Sequence, residues 1–221
     1  MKKILFFDTE TTGLDPNRNG MIQLAMLIDI DGELVDEINF EIQPFCDDEL
    51  DLIPKISFDL AKTRSLNGEN DGLLPITAIS VPMLMRFEEP KIAIQKINSF
   101  LQKHISKFNK NDKAYIGGYN VAFDIAFLSK FYEKSGDKYL GSYINWKQID
   151  VRSILYFLDY KGTIKPFENY KLSTICDYYG IEIEAHNPLS DIKATREIFY
   201  ILIGGGYEKI ADNQASGESP E

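Results

Sequence analysis

The amino-acid sequence predicts an α/β fold built on a mixed five-stranded sheet flanked by helices. The first observation is the order of the elements, because three strand-like segments come first and helices then alternate with strands. The second is the turn signal Asp31-Gly32 between the second and third apolar segments, which predicts an antiparallel hairpin. A hairpin followed by helix-linked strands indicates a mixed sheet with helices packed against it.

Each strand is predicted from a short apolar run and each helix from a longer periodic segment. After Glu89, apolar residues recur close to helical spacing at Ile97, Leu101 and Ile105, so a helix is expected to end near Phe108. The strands are predicted at residues 4–8, 21–30, 34–43, 113–117 and 144–150, and the other helices at 121–133, 151–159, 171–179 and 188–203. This layout is of the ribonuclease-H-like kind.

The length of 221 residues predicts one domain, which we place at residues 1–208. Residues 209–221 are polar and poor in apolar side chains, so this tail is expected to be disordered. A long acidic stretch at 45–75 contains Gly and Asn and is expected to form loops with one short helix.

The composition excludes several classes of protein. No apolar run approaches the roughly 20 residues that span a bilayer. The run from Ile4 to Phe7 is cut short by Asp8, which favours a buried strand over a signal peptide. Cys46 and Cys176 lie far apart and form no CxxC pair, so neither a disulfide framework nor a zinc site is expected. These features fit a reducing cytoplasm without membrane association, and any metal would need oxygen or imidazole ligands.

The net charge of −10 and the pI of about 4.8 argue against a protein that grips long duplexes, since such proteins carry a basic face. They do not exclude an enzyme that holds a few nucleotides at a metal site, where the ions supply much of the positive charge. The acidic character therefore leaves nucleic-acid chemistry open.

Two carboxylates follow the first apolar strand. Asp8 and Glu10 are two residues apart, so on a strand their side chains point to the same side. Burying two like charges beside a strand that begins at Ile4 would be costly without a cation. A strand that ends in solvated acids is an equally acceptable interpretation of this pair alone.

Two further acids are predicted at helix starts. Asn120 is a good N-cap, which places Asp124 in the first turn of the helix beside the preceding strand. Asn187 as N-cap and Pro188 at the first helical position place Asp191 in another first turn. Taken singly, each acid is better explained by its favourable interaction with the helix dipole. His186 precedes the second cap, and taken alone it is better explained as a surface loop histidine.

Taken together, these residues resemble the motif set of the DEDDh family of 3′–5′ exonucleases, which includes the proofreading epsilon subunit of bacterial DNA polymerase III. The set has four carboxylates at strand ends or helix starts and one histidine at a fixed offset from the last acid: Asp8, Glu10, Asp124, Asp191 and His186. The resemblance runs from Ile4 to about Ile203. It includes secondary matches at Ile149-Asp150-Val151, Lys171-Leu172-Ser173-Thr174 and Tyr179-Gly180-Ile181.

Three features depart from the family pattern and put the substrate preference in doubt. Tyr119 stands where the family often has His, Asn187-Pro188 replaces a more usual acidic-Ala pair, and the stretch 45–88 is long for a proofreading enzyme. The chemistry is expected to survive all three.

The resemblance implies two Mg²⁺ or Mn²⁺ ions, roughly 3.5–4 Å apart, that clamp the scissile phosphate. Asp8, Glu10 and Asp191 would hold the ion that carries the attacking water. Asp8 would bridge to the second ion, which Asp124 would support directly or through water. Hard oxygen ligands suit such ions. His186 would act as the general base that takes the proton from this water.

Substrate contacts are also implied. The backbone around Thr11 would hold the terminal 3′ hydroxyl, Leu14 would pack against the terminal base, and Asn120 is placed with them as a substrate-binding residue. The expected partners are a single-stranded nucleic-acid 3′ end, DNA rather than RNA, and a DNA polymerase. The alternatives that stay open are an RNA 3′–5′ exonuclease of the same family, such as an oligoribonuclease-like or RNA-end-trimming enzyme, and an inactive polymerase-docking module.

The basic residues are distributed unevenly. Residues 31–72 carry twelve acids against three bases, whereas residues 130–171 carry eight bases against five acids. Ordinary solvated surface is one explanation. The other is that Lys161, Lys165 and Lys171 contact phosphates upstream of the cleaved nucleotide.

Overall fold

A computed structural model describes residues 1–43, 45, 86–184 and 187–204. The strands are β1 (Lys3–Thr11), β2 (Met21–Ile30), β3 (Glu33–Glu41), β4 (Ala114–Gly118) and β5 (Ile144–Asp150). The helices are α1 (Pro90–His104), α2 (Ala122–Lys134), α3 (Val151–Tyr160), α4 (Leu172–Tyr179) and α5 (Pro188–Ile203). These strands form a mixed sheet in the order β3-β2-β1-β4-β5. The predicted α/β fold with a five-stranded mixed sheet is confirmed.

Parts of the prediction fall beyond the residues that the structure describes. They are the tail at 209–221 and, apart from Phe45, the acidic stretch at 45–75. Cys46 lies outside as well, whereas Cys176 is a buried free thiol. Among the helices of the described residues, none combines the length and the apolar character needed to cross a membrane.

The antiparallel half of the sheet is the predicted hairpin. Strands β2 and β3 pair antiparallel, and the two residues between them, Asp31 and Gly32, have φ of 53° and 98°. Left-handed φ at both central positions matches the right-handed twist of the strands. Helix α5 holds this hairpin, because Arg196 donates to Asp29 Oδ2 at 2.8 Å and to the Gly32 carbonyl at 2.7 Å. Since Asp29 is only 1% exposed, this pairing fixes α5 against the sheet.

The parallel half brings three strand ends together. Strand β1 pairs parallel with β4, and β4 pairs parallel with β5, so their carboxyl ends meet at one edge of the sheet. The residues there are Glu10, Gly118 and Asp150. Close packing of β4 on β1 requires a glycine at Gly117, because a Cβ would lie 2.5 Å from the Phe6 ring. We call this the carboxyl edge of the sheet.

The core lies on both faces of the sheet because side chains alternate along β1. Leu5 and Phe7 pack into the cluster that contains the apolar residues of α1 and α2. Phe6 packs into the second cluster, with Leu155 of α3 and Ile198 of α5 among others. The same alternation directs Asp8 and Glu10 toward the face that α5 covers.

Helix α1 ends earlier than predicted. Its last residue is His104, and Ile105 already has extended backbone, whereas the sequence placed the end near Phe108. Ile105 is buried although its backbone is extended. The spacing of apolar residues therefore continues beyond the end of the helix. Periodicity alone could not detect this change of backbone conformation.

The predicted N-cap of α2 was wrong. The residue before α2 is Val121, which makes no capping side-chain hydrogen bond, and Asn120 has a left-handed φ of 61°. The Asn120 Oδ1 accepts a hydrogen bond from the Arg152 guanidinium, and its backbone N–H donates to Asp150 Oδ1 at 2.9 Å. The Asn120 side chain is therefore occupied by the junction between β5 and α3.

Candidate active site

Three carboxylates come together at the carboxyl edge. The ligand oxygens of Asp8, Glu10 and Asp191 all lie within 4.8 Å of one another. Asp8 and Glu10 stand on β1, and Asp191 stands in the first turn of α5. We call these three residues the carboxylate cluster. Two elements that are distant in sequence therefore supply one group of hard oxygen donors.

The start of α5 positions Asp191. Asn187 is the N-cap, as predicted, and its Oδ1 accepts from the backbone N–H of Leu189 at 3.1 Å and of Ser190 at 3.3 Å. The Asp191 N–H donates to the Asn187 carbonyl at 2.9 Å. Ser190 Oγ also accepts from the Glu184 N–H at 2.8 Å, which ties the helix start to the preceding chain. These hydrogen bonds hold the first turn that carries Asp191.

Asp124 lies beside the cluster, at the start of α2. Its Oδ1 accepts from the Thr9 N–H at 3.0 Å and from the Thr9 hydroxyl at 2.7 Å, and the residue is only 4% exposed. Thr9 faces away from its two neighbours on the strand, Asp8 and Glu10. Asp124 is thus held on the other side of β1, near enough to raise the pKa of Asp8 and Glu10.

The electrostatics of the cluster oppose full ionisation of the metal-free protein. Burial raises the pKa of Asp8 well above its usual value, and the charges of Asp124, Glu10 and Asp191 raise it further. Burial raises the pKa of Glu10 to about 7, with added repulsion from Asp191 and Asp124. Burial also raises the pKa of Asp124, although its hydrogen bonds from Thr9 oppose the shift. Like charges this close disfavour the ionised state unless a cation is bound.

These residues fit a hard divalent cation. Carboxylate oxygens are the donors that Mg²⁺ and Mn²⁺ prefer, and a bound cation reverses the local electrostatic penalty. The crowding of Asp8, Glu10 and Asp191 within 4.8 Å is the observation that supports this fit. The carboxylate cluster is therefore a candidate metal centre.

His186 lies outside the described residues, as does Ala185. The residues on either side are described, and Asn187 Nδ2 donates to Glu184 Oε2 at 3.0 Å. The role of His186 as a general base therefore stays a prediction from the sequence.

The loop after β1 presents Leu14. Thr12 and Gly20 close this loop, because the Thr12 N–H donates to the Gly20 carbonyl and the Gly20 N–H to the Thr12 hydroxyl, both at 2.9 Å. Thr11 is buried, and its hydroxyl donates to the Gly13 carbonyl at 2.7 Å. Leu14 is 82% exposed on this closed loop. The predicted contact of Leu14 with a base stays a prediction.

The remaining predicted substrate residues are spread more widely. Asn120 lies at the carboxyl edge, where it contacts Arg152 and Asp150. Lys161, Lys165 and Lys171 are exposed and lie on the segment from the end of α3 to the start of α4. Their part in binding a substrate stays a prediction.

Two residues at the site were missed by the sequence analysis. Thr9 stands between the two acids of β1, and nothing in the sequence shows that its hydroxyl reaches Asp124. Arg152 lies two residues after Asp150, in the segment that matched the family motif. An arginine in the first turn of α3 could have been recognised from the sequence. Both act through contacts between elements that are far apart in sequence.

Comparison with known families decides the class. The sequence model of the exonuclease family, RNase_T, matches residues 5–199 of the chain. The chain belongs to the exonuclease family. It is an exonuclease domain, a phosphodiester hydrolase, and the resemblance to an exonuclease family that the sequence indicated is confirmed.

The exonuclease domain is similar to part of much longer proteins. The PolC-type DNA polymerase III of Pediococcus pentosaceus is 24% identical over 208 residues, which cover 94% of this chain and 12% of that protein. The PolC-type DNA polymerase III of Lacticaseibacillus paracasei is 26% identical over 199 residues, covering 89% of this chain and 11% of that protein. The chain thus spans about an eighth of the length of the curated relatives it matches.

Solved structures share the fold of the exonuclease domain. Exonuclease I from Methylocaldum szegediense superimposes with a TM-score of 0.66 at 17% identity, covering 97% of this chain and 43% of that chain. A zinc-bound complex of E. coli exonuclease I with single-stranded DNA superimposes with a TM-score of 0.65 at 18% identity. The match covers 98% of this chain and 43% of that chain. At these identities the likeness establishes the fold.

Proposed function

We propose that this exonuclease domain removes nucleotides one at a time from the 3′ end of single-stranded DNA and releases nucleoside 5′-monophosphates. The observation that carries the proposal is the carboxylate cluster, Asp8, Glu10 and Asp191, within 4.8 Å at the carboxyl edge. The choice of single-stranded DNA is supported by the exonuclease I complexes that share the fold.

The cofactor in this proposal is a pair of divalent ions, Mg²⁺ or Mn²⁺. Asp8, Glu10 and Asp191 would hold one ion, and Asp124 would support the second together with Asp8. When bound, the ions would supply positive charge that offsets the carboxylates and the charge developing on the scissile phosphate. The number of ions and their identity are part of the proposal.

The protein side chains would orient the strand and move one proton. Leu14 would pack on the terminal base, and the backbone around Thr11 would hold the terminal 3′ hydroxyl. His186 would take a proton from the attacking water, because a neutral imidazole is a suitable general base near neutral pH. Each of these roles is carried over from the DEDDh resemblance onto a matching position of this chain.

The biological context that we propose is proofreading or end-trimming beside a DNA polymerase. The PolC-type polymerases that match the chain support a polymerase partner. Such a partner would deliver a frayed 3′ end, which is single-stranded over its last few nucleotides. An acidic domain suits this arrangement, since it need not grip the duplex by itself.

One digestion experiment tests the proposal. Matched 5′-labelled single-stranded DNA, RNA of the same sequence and a primer with a mismatched 3′ end are incubated with the protein in Mg²⁺ or Mn²⁺, with Asp8→Asn as the control. We expect stepwise shortening of the DNA from its 3′ end and release of 5′-monophosphates. Preferred digestion of the RNA would instead support an RNA 3′–5′ exonuclease, and no digestion of any substrate would support a docking module.

A further inference from the structure

Helix α3 carries a row of side chains that are not part of the carboxylate cluster. Arg152, Tyr156 and Tyr160 recur every four residues and therefore share one face of the helix. Tyr156 is 46% exposed and Tyr160 is 93% exposed. We call these three residues the α3 platform. Clustered exposed aromatic side chains in a soluble domain usually mark a contact surface.

The α3 platform begins at the carboxyl edge of the sheet. Asp150 ends β5 and caps α3, where its Oδ1 accepts from the Arg152 N–H at 3.1 Å and the Asn120 N–H at 2.9 Å. The Arg152 guanidinium donates to Asn120 Oδ1. Asn120 lies just before α2, whose first turn holds Asp124. Arg152 therefore contacts Asn120, which lies two residues before the helix that carries Asp124.

No carboxylate among the described residues forms an ion pair with the Arg152 guanidinium, which donates to the Asn120 side chain. Within the part of the chain that the structure describes, Arg152 forms no ion pair, and its side-chain partners are the neutral Asn120 amide and the Tyr156 ring at 6.0 Å. A guanidinium has five N–H donors, so several remain for a phosphate. In a chain with a net charge of −10, an arginine with N–H donors to spare at the carboxyl edge favours an anionic ligand.

Packing against Tyr170 fixes the orientation of the Tyr156 ring. The Tyr156 ring packs edge-on against Tyr170 at 4.7 Å. The Tyr170 hydroxyl donates to Asp159, and its carbonyl accepts from the Tyr119 hydroxyl at 2.8 Å. A ring held in place by its neighbours loses little side-chain entropy when a flat ligand stacks on it. Tyr156 is therefore suited to stack with a base.

We infer that the α3 platform binds the single strand upstream of the scissile nucleotide, with Tyr156 and Tyr160 stacking on bases and Arg152 contacting a phosphate. This inference rests on the proposed function, because it extends the path of the same substrate. The distance from Arg152 to Tyr160 along the helix is roughly 12 Å, the rise of about three stacked nucleotides. Proteins commonly bind single strands through aromatic side chains combined with cationic groups, and stacking on an aromatic ring does not depend on which base is present. Lys161 and Lys165 continue the positive charge beyond Tyr160.

The test compares short and long strands. For the double variant Tyr156→Ala/Tyr160→Ala we expect KM for an eight-nucleotide oligo-dA to rise in Mn²⁺ by at least about 5- to 150-fold, which is the effect of losing one of the two stacked bases. We expect kcat at saturation to change less than twofold, and KM for the dinucleotide pdApdA to stay unchanged, because it is too short to reach the platform. Tyr156→Phe/Tyr160→Phe should behave like the wild type, since it keeps both rings.

Abasic substrates identify stacking as the cause. An octanucleotide with abasic sites upstream of the last two nucleotides should bind the wild type as weakly as intact oligo-dA binds the double alanine variant. The abasic sites should cause no further loss of affinity in the double alanine variant. Tyr139→Ala is the matched control, because Tyr139 is 51% exposed but lies before the start of β5, at the opposite edge of the sheet. It should leave both KM values unchanged.

Fluorescence anisotropy of labelled oligo-dA in EDTA separates this inference from the proposed function. Under these conditions binding is measured without hydrolysis, and the double alanine variant should again lose at least about 5- to 150-fold in affinity. Tyrosine-dependent binding by a protein that never cleaves DNA would refute the proposed function alone. Equal affinity of wild type and double alanine variant for the octanucleotide, or an equal rise in KM for pdApdA, would overturn the α3 platform alone.

Discussion

Thr9 donates two hydrogen bonds to Asp124 Oδ1, one from its backbone N–H at 3.0 Å and one from its hydroxyl at 2.7 Å. These bonds join the strand that carries Asp8 and Glu10 to the helix that carries Asp124. They also favour the ionised form of a carboxyl whose pKa burial would otherwise raise still further. Thr9 thus positions a candidate metal ligand from the opposite face of β1.

Replacing Thr9 tests this positioning role. Thr9→Val keeps the side-chain volume but removes the hydroxyl donor, and a hydrogen bond to a charged group is worth roughly 1.5–3 kcal/mol. We expect the Mn²⁺ concentration for half-maximal exonuclease activity to rise about tenfold or more, while the secondary structure by circular dichroism stays the same. Thr9→Ser retains the donor and should stay close to the wild type. Unchanged metal dependence in Thr9→Val would show that the backbone N–H alone holds Asp124.

Asp8 is expected to be the most sensitive residue for catalysis and, at the same time, a source of instability. Asp8→Ala removes the ligand proposed to be shared by both ions, so turnover should fall by several orders of magnitude. The metal-free variant should be more stable than the metal-free wild type at pH 7.5, because one member of a repelling cluster is gone. Turnover assays and thermal melts in EDTA measure the two effects. A variant that keeps a rate within tenfold of the wild type would refute the metal mechanism.

Glu10 makes the stability of the metal-free protein depend on pH. Burial raises its pKa in the folded protein from 4.5 to about 7, with Asp191 and Asp124 adding to the shift. Between these two values the folded state keeps a proton that the unfolded state has released, so the contribution of Glu10 to stability falls as the pH rises from about 4.5 to 7. The loss from this group is on the order of 3 kcal/mol, and each kcal/mol lowers Tm by roughly 2–4 °C in a domain of this size.

Thermal melts of Glu10→Gln provide the comparison. This variant cannot ionise, so its metal-free Tm should fall less steeply than that of the wild type over the same pH range. Mg²⁺ or Mn²⁺ should raise the wild-type Tm more at pH 7.5 than at pH 5, because the cation binds the ionised carboxylates. Identical pH dependence of Tm for the wild type and Glu10→Gln in EDTA would contradict the assigned pKa shift.

The fold was predictable because its signals are local. The hairpin at Asp31-Gly32 and the helix start at Asn187-Pro188 each depend on the backbone preferences of two adjacent residues. Such preferences can be seen in the sequence and survive tertiary packing. The strand order could be anticipated only as a mixed sheet, since parallel pairing of β1 with β4 joins segments about a hundred residues apart.

The site was predictable only in part, because some of its contacts connect distant segments. The acids were recognised from their motif, but the hydrogen bonds from Thr9 to Asp124 link residues 115 positions apart. Asn120 was misjudged for the same reason: its amide is bound by Arg152, 32 positions later, so it does not cap α2. Local preference favoured the cap, and a tertiary contact with a charged donor replaced it.

His186 is predicted to act as a base and not as a metal ligand. His186→Ala should therefore lower kcat by roughly 10²–10⁴-fold while Mn²⁺ binding stays nearly unchanged. The acidic limb of the pH–rate profile, which reports protonation of the base, should disappear in the variant. Steady-state kinetics between pH 5 and 9 and calorimetric Mn²⁺ titration measure both properties. Loss of Mn²⁺ binding would move His186 into the metal coordination sphere.

The basic segment between α3 and α4 is predicted to steer the upstream phosphates. Lys161, Lys165 and Lys171 are all exposed there, and phosphate contacts position a strand without reading its sequence. Reversing the three lysines to Glu should raise KM for oligonucleotides of every sequence and flatten the dependence of KM on salt, while kcat at saturation changes little.

A charge-matched control separates a local contact from a change in overall charge. Lys2, Lys110 and Lys138 are also exposed, but they precede the starts of β1, β4 and β5, at the opposite edge of the sheet. Their reversal to Glu makes the same change in net charge, so any general repulsion of DNA should appear equally in both triple variants. We expect the rise in KM at low salt to be at least several-fold larger for Lys161, Lys165 and Lys171, because short-range phosphate contacts add to the general field. Equal KM values for the two triple variants would show that the strand leaves the active site by another path.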